Sequence, residues 1–416
     1  MSASEKTAAG VSTLTLHLHL LPQDILVEIL SKLPAKSLVR FRCVSKFFYA
    51  LIVDHGFGVL HRTLSLTLPS KAAILIAIIP SRRPRSVPSA PAYYTINFSK
   101  ENPRRPGMLQ ADRLGYLDGD EPFLKGCLHS SSDGLICLSR PNGDIVVVCN
   151  VSTGQRISLP RFQFDSPHGT KTCALLGFDS QSKRYKVLMI DRRSCFEYKH
   201  WVLTLGVDKS WREINYSSHP LDGVGCAGYS DTSVHIDGVI YFYNWLTRDD
   251  PPSFHIVAFE VWSESYSFIP IPAEVTSSSP HLRSIDASGE TYHYTDFVLR
   301  NFALLQVDGG RLAIIYVHNI GHLFNMVVWT LEKSKGCWEK ITMIIPFKFD
   351  LYRFTTNHAG EIVLLCIDSK QFFILVCNLK SEVWRKFDVG GVKEFPICFP
   401  EDVRIYKTMD HVFSIE

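Results

Sequence analysis

Residues 223–228 read Gly-Val-Gly-Cys-Ala-Gly, which is the spacing of the glycine-rich loop that binds the pyrophosphate of a dinucleotide. Such a loop binds phosphate when it follows a β-strand and opens a helix, because the helix N-terminus supplies free N–H groups and partial positive charge. Residues 216–222 are typical of a loop, and the residues after Gly228 favour a strand. The setting for phosphate binding is missing, and we interpret this segment as a surface loop.

Other reactive side chains also lack the spacing that chemistry requires. The sixteen histidines are dispersed, and the pairs His17/His19 and His318/His322 come nearest to the spacing of metal ligands. The eleven cysteines form no Cys-x-x-Cys pair, and most lie in apolar runs, which is typical of buried thiols in a reducing compartment. No metalloprotease, nucleophile-elbow or P-loop motif occurs. We therefore expect no catalytic residue, no metal and no cofactor.

The composition is that of a folded protein without a strong charge bias. The chain has 416 residues, of which 46% are hydrophobic and 20% charged, and its formal net charge is +3. This charge gives no reason to expect nucleic acid as a partner. The apolar run at residues 72–79 is much shorter than the ~20 residues that span a bilayer, and the N-terminus does not read as a secretory signal. We expect no membrane partner, and a location in the cytoplasm, the nucleus or both.

The elements that would position any binding residues change character along the chain. Residues 21–54 have the periodicity of three short helices. Pro34 should end the first helix, and Ser37 and Ser45 have the side-chain type that caps the start of the next two. The first helix carries a single apolar face, at Ile25, Leu26, Ile29, Leu30 and Leu33. Three such helices are too small to bury this face themselves, so either a partner or the following domain must cover it.

Residues 21–34 read Leu-Pro-Gln-Asp-Ile-Leu-Val-Glu-Ile-Leu-Ser-Lys-Leu-Pro, and residues 36–46 read Lys-Ser-Leu-Val-Arg-Phe-Arg-Cys-Val-Ser-Lys. This order and spacing resembles the plant form of the F-box. The resemblance implies a trihelical motif that docks on a Skp1-like adaptor and through it joins a cullin and a RING protein. Two positions depart from the pattern: Phe48 replaces the usual Trp, and residues 54–57 replace the usual Asp-Pro-x-Phe.

The F-box resemblance also assigns positions for adaptor binding. The main contact would be formed by Leu21, Pro22, Ile25, Ile29, Leu30, Leu33 and Pro34. Support or extension of that contact would come from Leu38, Phe41, Cys43, Val44 and the aromatic Phe48.

Beyond Leu60 the pattern changes to short apolar runs bounded by Gly, Asn, Asp and Ser, which is typical of strands. A common phrase of apolar runs and turns recurs in four units, which begin at residues 133, 237, 310 and 360. A variant unit covers residues 175–214 and a weaker one residues 72–98. The spacing is in and above the range of four-stranded blades. We predict a mainly β fold with a small N-terminal α unit, an irregular β-propeller of about six blades, with a pair of sandwiches as the competing architecture.

The strand region also resembles a known domain, the plant F-box-associated domain, which is kelch-like. The resemblance rests on Ser-Asp-Gly-Leu-Ile-Cys-Leu at residues 132–138, Asn-Val-Ser-Thr-Gly at 150–154 and Gly-Phe-Asp at 177–179. It implies a platform that recruits a protein target for ubiquitination. The predicted organisation is a disordered tail over residues 1–20, an F-box over 21–62 and an F-box-associated propeller over 63–416.

The two resemblances together imply a non-catalytic substrate-recognition subunit of an SCF-type (Skp1–cullin–F-box) ubiquitin ligase. Two alternatives stay open, namely a scaffold that binds the adaptor without delivering a substrate, and a propeller that binds a small ligand or acts as an enzyme through its central channel. One loop combines an aromatic side chain, charges and prolines, as binding loops often do. From it we select the candidate substrate contacts Trp245, Arg248, Asp249 and Asp250.

Overall fold

The computed structural model begins with helices and continues as strands, which confirms the predicted mainly β fold with a small N-terminal α unit. No helix in the part of the chain that the structure describes is long and apolar enough to cross a bilayer. The described residues are 21–78, 91–101, 103–117, 127–140, 144–162, 172–192, 198–214, 233–246, 253–277, 302–320, 323–368, 371–392 and 403–413.

Four helices form the N-terminal unit: α1 (Gln23–Ser31), α2 (Ala35–Phe41), α3 (Lys46–Val53) and α4 (His55–Thr67). Ser45 caps α3 as predicted, because its hydroxyl accepts the N–H of Phe48 at 3.3 Å. The predicted cap at Ser37 is wrong, since this residue lies inside α2. The N–H of Ala35 at the start of α2 has no partner within the helix, and it donates to the Asp410 carboxylate at 2.9 Å. A residue from the far end of the chain therefore caps this helix.

Helix α4 is not anticipated by the sequence, which was expected to change to strands near Leu60. Asp54 begins it by accepting the N–H of Phe57 at 2.9 Å, and these are the two residues that match the usual Asp-Pro-x-Phe. The buried face of α4 includes Phe57, His61 and Ser65 at a spacing of four residues. A capping residue followed by this spacing was the available signal.

Twenty-four strands are described, together with a short helix α5 (Ala273–Ser277). In chain order they are β1 (Ala72–Ile78), β2 (Ala92–Ile96), β3 (Met108–Arg113), β4 (Cys127–Ser132), β5 (Leu135–Ser139), β6 (Val146–Asn150), β7 (Arg156–Ser158), β8 (Thr172–Asp179), β9 (Arg184–Arg192), β10 (Tyr198–Thr204), β11 (Arg212–Glu213), β12 (Ser233–Ile236), β13 (Val239–Leu246), β14 (Ser253–Glu260), β15 (Ser265–Pro270), β16 (Phe302–Val307), β17 (Arg311–Ile320), β18 (Leu323–Glu332), β19 (Cys337–Ile345), β20 (Leu351–Thr356), β21 (Ile362–Asp368), β22 (Gln371–Asn378), β23 (Val383–Gly390) and β24 (Val403–Met409).

The described strands form six antiparallel blades of four strands each. Blades two to six are β4–β7, β8–β11, β12–β15, β16–β19 and β20–β23. The first blade has the order β24-β1-β2-β3, so the C-terminal strand is its inner strand. β24 pairs with β1 from Ala72↔Met409 to Ile78↔Val403. Blades six and one also join edge to edge, through a short parallel pairing of β23 with β3.

The inner strands form a closed circle. The architecture is therefore a propeller and not a pair of sandwiches. β24 contacts β4, β4 contacts β8, and the contacts continue through β12, β16 and β20 back to β24. One apolar cluster fills the space between each pair of neighbouring blades. Thiols take part in this packing, and burial raises the pKa of Cys137 to about 12. The cysteines inside the predicted apolar strands are therefore buried core residues.

The recurring Asp-Gly phrase forms the turn between the first and second strands of a blade. Asp133 and Gly134 have φ angles of 52° and 92°, and Asp237 and Gly238 have 49° and 83°. Two consecutive positive φ angles are the mark of a tight hairpin turn that Asp-Gly favours. A Cβ on Gly134 would lie 2.5 Å from the carbonyl oxygen of Met409, so the closing strand also requires glycine here.

Candidate functional site

The helical unit leaves a group of large apolar side chains in solvent. Leu21, Ile25 and Ile29 are 39%, 44% and 45% exposed; Ile25 and Ile29 are four residues apart on one side of α1, and Leu21 lies just before the helix. Val44 and Phe47, near the start of α3, are 66% and 46% exposed. We call these five residues the apolar helical face. A surface of this kind marks a site of interaction with another protein.

The opposite side of the helical unit packs on the propeller through α4 and the C-terminal segment. His61 contacts the carbonyl oxygen of Leu33 at 2.9 Å, and its Nδ1 accepts the N–H of Val412 at 3.3 Å. Lys71 donates to the carbonyls of Ser31 and Leu33 at 3.1 Å each, where α1 ends. Val412 itself belongs to the apolar core of the helices. The last strand of the ring and its extension therefore complete the helical core.

A buried ion pair fixes α4 to the ring. Arg62 forms a salt bridge with Asp133 and donates through Nε to the Tyr185 hydroxyl at 2.9 Å. Its guanidinium carbon also lies 3.5 Å from the centre of the Phe178 ring. Burial by itself would raise the pKa of Asp133, but the charge of Arg62 acts against it and holds the pKa at about 2. The carboxylate stays charged, and the ion pair ties the helical unit to blades two and three.

A cavity of about 160 Å³ lies on the axis of the ring. It is lined by residues of the inner strands β4, β12, β16, β20 and β24. Leu66 of α4 lines it as well, so the helical unit lies against one end of the channel. Among the described residues, no group of three or more His, Cys, Asp or Glu side chains could hold a metal ion.

Comparison with known proteins assigns both parts of this arrangement to families. The F-box domain matches residues 18–60, and the F-box associated beta propeller domain matches residues 117–412. The chain belongs to the F-box proteins with an F-box-associated β-propeller. An F-box protein of Arabidopsis thaliana is 27% identical over 95% of this chain and 97% of its own length. Another Arabidopsis relative is 30% identical over 63% of each chain.

The fold comparison adds a distant neighbour. A solved structure of a nidogen/laminin complex aligns over 82% of this F-box protein and 99% of its own chain, with 9% identity and a TM-score of 0.39. Proteins with an F-box generally bind Skp1 in SCF complexes, and the two matched domain families are typically non-catalytic adaptors.

The predicted adaptor residues of the F-box fall into three groups in the structure. Exposed positions are Leu21, Pro22, Ile25, Ile29, Pro34, Cys43 and Val44. Leu33 and Phe41 are half-buried. Leu30, Leu38 and Phe48 are buried in the core of the helical unit. The resemblance places Leu30 in the main contact and Leu38 and Phe48 in its support or extension, and in the structure all three lie inside the helices that carry the exposed residues.

Phe47 is an exposed aromatic residue of the F-box that the resemblance does not select. Phe47 is 46% exposed, whereas its neighbour Phe48 is 8% exposed, and the two rings pack edge to face with centres 5.5 Å apart. The resemblance selects Phe48 because it occupies the place of the family's usual Trp. Helical spacing marked both residues as apolar, and only the packing of Phe48 against the half-buried Phe41 decides which one faces inward.

The predicted substrate loop is only partly described. Arg248, Asp249 and Asp250 lie outside the described residues, and of Trp245 only the backbone is described, paired with Phe254. Residues 223–228 and the predicted tail 1–20 also lie outside them. The β13–β14 hairpin leaves the sheet at the pair Leu246↔Ser253, at the opposite end of β13 from the Asp237–Gly238 turn. The corresponding Asp-Gly turn of blade two contacts Arg62 of α4, so this hairpin end points away from the helices.

Proposed function

We propose that this F-box protein is the substrate-recognition subunit of an SCF-type ubiquitin ligase. The F-box, residues 21–62, binds a Skp1-like adaptor and through it a cullin and a RING protein. The propeller, residues 63–416, recruits a protein target in the cytoplasm, the nucleus or both. The observation that carries the proposal is the apolar helical face, which stays exposed although the same chain covers the other side of the helices.

The alternative that the propeller covers the helices applies only to one side of them. His61, Lys71 and Asp410 contact the end of α1 and the start of α2, and Val412 fills the core between the helices. Ile25 and Ile29 remain more than two-fifths exposed after this packing. Burying one such side chain is worth about 1.5–3 kcal/mol, so a partner that covers this face gains a substantial driving force.

The mechanism that we propose is geometric. The buried Arg62–Asp133 pair and the bond from Ala35 to Asp410 hold the F-box and the ring in one orientation. A target bound by the ring is then presented to the charged E2 at a defined position, which raises the effective concentration of its lysine. The F-box protein supplies no catalytic group in this scheme.

We place the target on the face of the ring that points away from the helices. The end of the β13–β14 hairpin belongs to that face, and Trp245, Arg248, Asp249 and Asp250 are our candidate contacts there. A target on this face does not compete with the adaptor for space. An aromatic side chain next to charged ones is the composition of many binding hot spots.

Co-purification with a Skp1-like adaptor tests the F-box half of the proposal. We expect Ile29→Glu to reduce adaptor affinity by at least about tenfold, because it places a charge in the apolar contact. Ile344→Glu is the matched control, since Ile344 is an isoleucine of the propeller with a similar exposure of 57%. Failure of the wild-type chain to bind any Skp1-like adaptor, or equal binding by both variants, would contradict the proposal.

The substrate half needs a second measurement. Proteins captured by the full chain together with its adaptor should become ubiquitinated when cullin, RING protein, E1, E2 and ubiquitin are added. Captured partners that stay unmodified would instead favour the scaffold that binds an adaptor without delivering a substrate. Replacing Trp245 by Ala should reduce capture of the target without affecting adaptor binding.

A further inference from the structure

The cavity on the ring axis has the size of a small-molecule site. Its volume of about 160 Å³ is close to that of an apolar cavity of about 150 Å³ that holds benzene in another protein. A molecule built on a single ring therefore fits it. Its lining mixes aromatic and hydroxyl side chains, among them Phe302, Phe354, Tyr406, Thr355 and Thr356.

Among the described residues that line this cavity, the charged side chains are mostly basic. Arg353 on β20 and Arg404 and Lys407 on β24 all belong to the lining. The carboxylate that lines it, Asp133, is already paired with Arg62 of α4. His235, which also lines the cavity, is half-buried, and desolvation lowers its pKa, which favours the neutral imidazole. Among the described residues of the lining, three side chains are therefore cations and one is a carboxylate.

Lys407 is the cation of this group whose charge lacks a close counterion. Its ammonium makes no hydrogen bond or ion pair with any residue in the described ranges, although Asp133 and Asp237 act on it electrostatically from a greater distance. Lys407 is half-buried, and this partial desolvation of its ammonium lowers its pKa. An anion in contact with Lys407 would supply the missing partner and stabilise the charged form.

We propose that the central channel binds a small organic anion, with a carboxylate or phosphate next to Lys407 and a ring-sized body against the aromatic side chains. Arg353 and Arg404 line the same cavity on the neighbouring inner strands β20 and β24. An acidic side chain of a protein target carries the same chemical group. The small size of the cavity, and Leu66 of α4 at one end, favour a free small molecule.

The test uses the full-length chain and pairs of probes that differ only in charge. Isothermal titration calorimetry should show that benzoate and phenyl phosphate bind at least about tenfold more tightly than the neutral benzamide, at constant ionic strength. Equal binding of benzoate and benzamide, or no measurable binding of either anion at millimolar concentration, would overturn the proposal. A short capped peptide with a central Glu tests the other source, and binding of this peptide in place of both small anions also overturns it.

Variants locate the site. Lys407→Met keeps the length of the side chain and removes its charge, and it should weaken benzoate binding by at least about tenfold. Lys407→Arg should retain binding, and Lys380→Met is the matched control on an exposed turn. Unchanged affinity in a folded Lys407→Met variant would refute the site. If this variant does not fold, the comparison of benzoate with benzamide on the wild type decides alone. Adaptor binding should be unaffected by Lys407→Met, so this test is independent of the proposed ligase function.

Discussion

The F-box and the propeller differ in how their apolar cores are completed. In the ring, each pair of neighbouring blades encloses its own apolar cluster, and the circle leaves each inner strand between two others. In the F-box, adjacent residues of one helix differ sharply, with Leu30 at 3% and Ile29 at 45% exposure. The ring is complete by itself, whereas the F-box is completed on one side by Val412 of its own chain and is open on the other. A surface that remains open after folding is available for a partner.

A substitution at the junction between the two regions should lower the free energy of unfolding more than a substitution at a surface contact. We expect Arg62→Met to lower the free energy of unfolding by about 3–5 kcal/mol, because it leaves the Asp133 carboxylate buried and unpaired. Urea denaturation measures this change. Arg385→Met removes a half-exposed salt bridge with Glu361 and should cost less than about 1 kcal/mol. Similar losses in both variants would show that the junction is no stronger than a surface contact.

The contrast within α1 can be tested with two neighbouring residues. Leu30→Ala should cost about 3 kcal/mol of stability, because it opens a cavity in the helical core. Ile29→Ala should change stability by less than about 0.5 kcal/mol, since its side chain is already largely in water. Thermal or urea unfolding measures both changes in stability. Adaptor affinity should show the reverse order, with the larger direct loss in Ile29→Ala, because Ile29 is the residue on the exposed face. Equal destabilisation would mean that the apolar helical face is not a free surface.

Acid should loosen the helical unit through His61. Burial lowers its pKa from 6.5 to about 4 in the folded state, so the unfolded chain takes up a proton first as the pH falls. The stability is therefore fully present above pH 6.5 and is lost progressively between 6.5 and 4. Between pH 7 and pH 5 this one histidine should account for a loss of about 2 kcal/mol. Urea unfolding of His61→Gln at the two pH values should show a smaller loss, and an identical loss would remove His61 as the cause.

Closure of the ring can be weakened at a single turn. Gly134→Ala should cost about 2 kcal/mol, because Gly134 has a φ of 92° and a Cβ would meet Met409 of the closing strand. Gly309→Ala is the control, since Gly309 has a φ of 70° but nothing within 4 Å of the added atom. It should cost about 1 kcal/mol for the backbone alone. Equal losses of stability in the two variants would indicate that β24 shifts away from the turn at no cost in free energy.

The sequence by itself determined the elements whose physics is local. Apolar runs set the strands, Asp-Gly pairs set tight turns with positive φ, and Ser45 set the start of α3 through a bond to a residue three positions away. The F-box and the approximate number of blades followed from motifs and repeats of the same local kind. These features depend on neighbours in the chain, which a sequence displays directly.

Only the tertiary structure decided the features that join distant residues. The cap of α2 comes from Asp410, which lies 375 positions from Ala35, and β24 closes a blade that begins with β1. The choice between Leu30 and Ile29, or Phe48 and Phe47, as surface residues depends on which side of each helix meets α4 and Val412. Helical periodicity places such residues on a shared apolar face but carries no information about which part of it a non-local neighbour covers. Packing between residues far apart in the chain therefore determined which apolar side chains of the F-box face solvent and which face the protein's own core.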